Sequence, residues 1–240
     1  MKNKNRCRRN ILITLPIMTF CLIAPACGQI SKGDFEIAPV EFKGKDDTYT
    51  ASVDLLKLKA ADTPQKQSLK TLLDNILYGG LTADAYIDKL KKESAGKSRE
   101  SYYEKLKLDA VGKYLQIERS FSTCAASCSD DMKQYVVNTQ TQKRLSHGDL
   151  LANANAADFA KLIDKHLQGA EHYGEIDKKE LDKSLKDKAY EVSFVKEGVG
   201  VHWNKYQIAA GAAGRFDIVI PRSEIEKYLT PAGKELLKRD

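Results

Sequence analysis

Acidic residues are missing from the first 26 positions, histidine is scarce throughout, and no apolar run reaches the length of a bilayer. The longest such run, ILITLPIMTFCLIAPA at residues 11–26, has 16 residues and contains Pro16. A helix crossing the hydrocarbon core needs about 20, so a membrane span is not expected. The four histidines, His147, His166, His172 and His202, never fall into HxH, HxxxH or HExxH spacing. No convergent metal site is therefore expected. GxSxG, a P-loop and a GxGxxG leading into a helix are also missing, so the chain shows no recognised catalytic residues and implies no cofactor. Excess charge is absent from most of the chain too. Of the formal +6, residues 1–26 hold +5 as Lys2, Lys4, Arg6, Arg8 and Arg9, and the remaining 214 residues carry 34 bases and 33 acids. So balanced a body has no long-range attraction for a phosphate backbone, which argues against nucleic acid as a partner. With 240 residues and 42% apolar content, the chain can still bury a substantial core.

What is present begins with an address. MKNKNRCRR is a basic leader, the apolar run follows, and Ala24-Pro25-Ala26 supplies small residues for cleavage. Residues 1–26 therefore read as an export signal peptide. Cys27 comes next, and the junction resembles a lipobox, with Ala24 where lipoproteins usually carry Leu. The cysteine count supports acylation. Cys7 and Cys21 leave with the signal, and Cys27, Cys124 and Cys128 stay. A lipid on Cys27 removes the odd thiol and leaves Cys124 and Cys128 to pair. The expected product is a lipoprotein of the cell envelope, exported to the periplasmic or extracellular face and anchored to a membrane without spanning it.

Residues 27–47 read as a lipidated tether with one short strand near Phe35–Phe42, and residues 48–240 as the domain proper. Tyr49–Leu58 predicts a strand. Thr63-Pro64 caps a helix with Leu69, Leu72, Leu73, Ile76 and Leu77 on one stripe, ended by Gly79-Gly80. Thr82 opens a second helix to about Lys92, and Ser101–Asp109 reads as a further one. Tyr114–Thr123 and Lys133–Thr141 are strands meeting near Cys124–Cys128. Asn155 opens a helix carrying Phe159, Leu162, Ile163, His166 and Leu167, with His166 as a hydrogen-bonded core residue. Asp177–Asp187 is a charged helix. His172 and His202 read as surface residues. Strict alternation at Tyr190–Phe194, Val199–Trp203 and Phe216–Ile220 predicts a C-terminal three-strand meander, stopped by Pro221. The fold class is α+β: an antiparallel sheet with helices packed on one face.

Within this stretch, Phe194, Gly198-Val199, Trp203, Tyr206, Ile208, Ala213-Gly214, Ile218, Ile220-Pro221 and Ile225 form a pattern. It resembles the C-terminal signature of the extracellular domain shared by RsiV-type anti-sigma factors and PdaC-type deacetylases. Lys143–Ser146 and Asp149–Leu151 are similar to that family's upstream stretch. The likeness spans residues 49–237 and is strongest over 143–229. Two segments depart from it: Cys124–Cys128 stands near the family's Gly-Gly-Ala-His stretch, and Ala209-Ala210-Gly211 replaces an aromatic-rich turn. The resemblance implies an exported α+β domain of unknown function, known in relatives as a lysozyme-sensing receptor or as the accessory part of a cell-wall enzyme. An anti-sigma sensor is not expected, since ten residues before the apolar run are too few for a sigma-binding domain.

Cys124-Ala-Ala-Ser-Cys128 reads as a structural disulfide pinning a hairpin tip; a redox pair normally has two intervening residues and a helix N-terminus. Asp130-Asp131 resembles the aspartate pair of polysaccharide deacetylases, but the flanking histidines four apart are missing, so a solvated turn is the simpler reading. Tyr102-Tyr103, taken as helical, should leave one ring partly exposed for protein or sugar contacts. Two segments remain as recognition loops on a rigid scaffold: Cys124–Asp131, and Ala209–Gly214 with Gly211. Merely closing hairpins is the competing role for both. The expected function is a non-catalytic binding module for a protein (lysozyme-like) or peptidoglycan ligand, contacted through Asp130, Asp131, Gly211, Tyr102 and Tyr103. The alternative is a cell-wall hydrolase or deacetylase accessory with an unrecognised site.

Overall fold

A computed structural model describes residues 30–44, 48–95, 97, 99–152 and 157–238. The expected signal peptide, Cys27 and Asn155 lie outside the described residues. Two sheets form the frame. The larger joins β1 (Phe35–Lys43), β2 (Thr50–Leu58), β3 (Ser101–Val111), β4 (Tyr114–Cys124), β5 (Cys128–Asn138) and β6 (Lys143–Leu145) in sequence order. Every neighbouring pair is antiparallel except β2–β3, which is parallel. A parallel pair needs a long crossover, and α1 (Pro64–Tyr78) and α2 (Ala83–Glu93) supply it. The smaller sheet is the expected meander of β7 (Glu191–Val195), β8 (Gly198–Trp203) and β9 (Phe216–Pro221).

Local chemistry explains the crossover. The Thr63 hydroxyl accepts from the Lys66 amide, Pro64 opens the first turn, and Gly79 ends α1 at φ 65°, a left-handed conformation that glycine adopts without Cβ strain. Leu69, Leu73 and Leu77 then pack on Val53, Leu55, Leu106, Leu115 and Ile117 of the large sheet. A second core lies under the meander. There Val192, Phe194, Val199, Val201, Trp203, Phe216, Ile218 and Ile220 meet α4 (Ala157–Leu167), α5 (Lys178–Asp187) and the C-terminal turns. All nine alternating residues assigned to this face, Tyr190 included, are buried.

Several expectations need correction. Ser101–Asp109 is not a helix but most of β3. The inward positions are Tyr102, Glu104, Leu106 and Leu108, and a buried glutamate among them breaks the apolar alternation. Glu104 is fully buried because Arg119 on β4 reaches it through two contacts of 2.7 and 2.9 Å. The Tyr86 and Tyr102 hydroxyls donate to the same carboxylate, and Arg119 also donates to the Leu77 carbonyl. Every polar atom of the pair is thereby occupied, as burial of two charges demands.

The strand expected inside the tether is a full member of the large sheet, with β1 paired to β2 from Phe35↔Leu58 to Lys43↔Thr50. Asp130 and Asp131 sit in the β4–β5 ladder rather than in a turn, opposite Ser122 and Phe121. His202 is not a surface residue, its side chain being only 13% exposed. His166 is not a hydrogen-bonded core residue: it is half-buried beside the stripe of Phe159, Ile163 and Leu167, and its Nε2, 3.4 Å from Glu224, makes no hydrogen bond among the described residues. His172 is exposed as expected.

Candidate functional site

The two sheets interlock through side chains that act as short pieces of strand. Phe194 on the open edge of β7 is bracketed by the Gln116 side chain, which accepts from its amide at 2.7 Å and donates to its carbonyl at 3.1 Å. Asn204, just after β8, does the same for Met132 on the open edge of β5, at 2.7 and 3.0 Å. The Glu191 carboxylate accepts from the Gln134 amide at 2.9 Å. Unpaired strand edges invite pairing with other chains, and these three side chains close both edges while fixing one sheet against the other.

The interlock leaves a cleft of about 630 Å³ between the hairpin end of the large sheet and the turn entering β9. Its floor follows from register. Tyr103, Ser122 and Asp130 lie side by side across β3, β4 and β5, and Lys105 and Ser120 form the next row. Its wall is Arg215 and Asp217 of the β9 side with Gly211, Ala212 and Gly214 of the turn, and Lys205 stands at the end beside Cys128. The Cys124–Cys128 disulfide is formed and closes the hairpin tip over Ala125–Ser127.

Of the residues singled out from sequence, Asp130, Asp131, Gly211 and Tyr103 all line this cleft. Strand alternation sends Asp130 and Asp131 toward opposite faces, so only Asp130 shares the floor row with Tyr103. Tyr102 is not part of the cleft. It faces the helices and donates to Glu104 at 2.9 Å. The adjacent tyrosines do divide into one half-buried and one exposed ring, for a reason that belongs to strands: Tyr103 is 43% exposed on the opposite face.

Sequence reasoning placed Tyr206 in the family-like pattern but missed its contact with Gly211. Its ring is 71% exposed, its φ is 70°, and a Cβ on Gly211 would fall 2.0 Å from it. Gly211 is glycine because the Tyr206 ring lies against it. A left-handed, exposed tyrosine is an uncommon combination, and such outliers cluster at working surfaces. Spacing along the chain carries no signal of this contact.

Charges around the cleft are unequally engaged. Lys105 pairs with Asp54 at 3.3 Å, Lys205 donates to the Cys128 carbonyl at 3.2 Å, and Arg215 meets Asp217 at 2.8 Å. Asp130 has no ion pair or side-chain hydrogen bond among the described residues.

Behind the wall runs a second missed feature. Ser193 Oγ is 2.7 Å from His202 Nε2, and His202 Nδ1 is 2.7 Å from Asp217. The carboxylate only accepts, so Nδ1 donates to it, and when the ring is neutral Nε2 is left to accept from the serine. Gly200 makes room, since a Cβ there would fall 2.3 Å from Ser193 Oγ. Burial works to raise the Asp217 carboxyl, but the His202 hydrogen bond and the Arg215 charge prevail and hold it below the ordinary carboxylate value. The connectivity matches a serine hydrolase triad, with exposure reversed. Asp217 reaches the cleft at 40% exposure, whereas Ser193 is 5% exposed at the closed end.

No group of three or more His, Cys, Asp and Glu placed to hold a metal occurs among the described residues. No helix among them is long and apolar enough to cross a membrane. Another cavity, of about 420 Å³, lies at the start of β7 around His147, Tyr190 and Gln134.

Residues 148–223 match the family described as "Protein of unknown function (DUF3298)". Two solved structures of that family are similar to this chain. One, from Bacteroides fragilis NCTC 9343, has a TM-score of 0.63 at 15% identity, covering 85% of this chain and 97% of that one. The other, from Pseudomonas aeruginosa PAO1, has a TM-score of 0.59 at 16% identity, covering 86% and 97%. Likeness at such low identity establishes a shared fold. No curated protein matches the chain.

Proposed function

We propose that this protein is an exported, lipid-anchored envelope protein whose domain binds a protein or cell-wall ligand in the cleft between its two sheets, without catalysing a reaction. The carrying observation is that residues far apart in sequence, Tyr103, Asp130 and Gly211, line one cleft on a braced frame. Ligand pockets gather at such junctions, with a few polar groups fixed on rigid elements. The binding role also fits the Ser193–His202–Asp217 line: a nucleophile must reach its substrate, and here the serine is at the buried end. Its service is to join β7, β8 and β9. The resemblance to the extracellular domain of RsiV-type and PdaC-type proteins supports an envelope setting, as do the basic leader, the 16-residue apolar run and Cys27.

Fractionation tests the anchoring and a binding assay tests the cleft. Cys27→Ala should move the protein out of the membrane fraction; unchanged retention with an unmodified N-terminal mass contradicts the lipid. Asp130→Ala with Asp131→Ala should weaken capture of purified peptidoglycan or lysozyme without lowering the melting temperature. Unchanged capture by the double variant and by Gly211→Trp would place the site elsewhere.

A further inference from the structure

We infer that the cleft is built for an oligosaccharide, neutral or amine-bearing and not anionic, laid across the strands from the Tyr103 ring to the Asp130 carboxylate. The inference rests on the binding role proposed for the cleft and names its ligand class. Three observations carry it. The cations at the cleft are already held, Lys105 by Asp54, Lys205 by a carbonyl and Arg215 by Asp217, so an anionic ligand would have to break internal pairs. Asp130, by contrast, has no partner among the described residues and offers two acceptor oxygens to hydroxyl or ammonium donors. The remaining floor groups are the Ser120 and Ser122 hydroxyls and the exposed Tyr103 ring. A tyrosine ring presents an apolar face and a polar tip, which suits the alternating C–H and hydroxyl faces of a pyranose.

Spacing agrees. Tyr103 and Asp130 are two strands apart in one row, a span of about 10 Å from the usual inter-strand distance and comparable to a disaccharide. Tyr206 is outside the cleft's lining, with its exposed ring against Gly211 of the wall. A peptide fits less well. Extended peptides bind sheets by adding to an open edge, and beside this cleft the Met132 and Gln134 backbone groups are already taken by Asn204 and Glu191.

Titration calorimetry of the purified full chain with four probes tests this: chitotetraose in N-acetylated and in free-amine form, a tetragalacturonate, and a strand-forming peptide. Both chitotetraoses should bind, the amine form more tightly, and the tetragalacturonate should not. Tyr103→Ala should weaken both by about tenfold, a loss of about 1.4 kcal/mol. Asp130→Asn should abolish the preference for the amine form, and Lys188→Ala in the other cavity should change nothing. Preferred binding of the tetragalacturonate or the peptide overturns the ligand class. So does silence from both chitotetraoses at millimolar concentration; if Asp130→Asn still reduces capture of envelope material, the cleft stands and its occupant is not a glycan. Glycan binding indifferent to both cleft substitutions overturns the site itself.

Discussion

Removing the Arg119 guanidinium would leave the fully buried Glu104 carboxylate with two tyrosine hydroxyls and no counter-charge. Stranding one member of a buried ion pair costs about 3–5 kcal/mol. Arg119→Ala should therefore lower unfolding free energy by that order in urea titrations, and Arg119→Met combined with Glu104→Leu should recover much of it. A loss of under about 1 kcal/mol in the single variant, the size of an exposed pair, would contradict the burial. His147 gives a pH signature. Burial pushes its pKa below the ordinary 6.5, opposed by its contact at 2.7 Å with the Tyr190 carbonyl. The unfolded chain then takes up the proton first as pH falls, so this contribution to stability is complete above pH 6.5 and declines below it. His147→Gln should flatten that part of the stability profile; an unchanged slope would assign it to other groups.

At the scale of elements, the side-chain brackets between the sheets predict that Gln116→Leu and Asn204→Ala each destabilise by about 1–3 kcal/mol, the cost of leaving buried backbone groups unpaired. Asn204→Ala should also expose the β5 edge, seen as faster amide exchange at Met132. Unchanged exchange there would mean that the bracket does not protect the edge. The disulfide belongs to this scale as well. Intact mass after alkylation should show two protected thiols, and replacing both cysteines with serine should cost about 2 kcal/mol by loop entropy. Two freely alkylated thiols in unreduced protein would refute it. The meander, α1 and α2 were legible in the sequence because apolar periodicity and capping residues coincide there, as at Thr63-Pro64 and Gly79. β3 was not, because Glu104 occupies an inward position and only its partner Arg119, fifteen residues on, makes that tolerable. The cleft was half legible. Gly211, Asp130 and Tyr103 stood out by residue type, but their meeting depends on β3–β5 register and on Gln116 and Asn204, whose partners are 78 and 72 positions away. Tyr206, the Ser193–His202–Asp217 line and the opposite facing of Asp130 and Asp131 are tertiary facts that no local pattern encodes.

At the scale of the whole molecule, a frame locked by reciprocal side-chain brackets carries a cleft whose cations are internally paired, while its Asp130 carboxylate and Tyr103 ring are open to a ligand. The buried serine of the hydrolase-like line makes catalysis the poorer reading. The measurement that bears most directly on this account is incubation of the purified protein with peptidoglycan sacculi, followed by sedimentation and assay of the supernatant for released sugar and acetate. The account predicts that the protein sediments with the sacculi, that Tyr103→Ala shifts it toward the supernatant, and that neither sugar nor acetate is released. Release of sugar or acetate by the unaltered protein, abolished in Ser193→Ala, would contradict it.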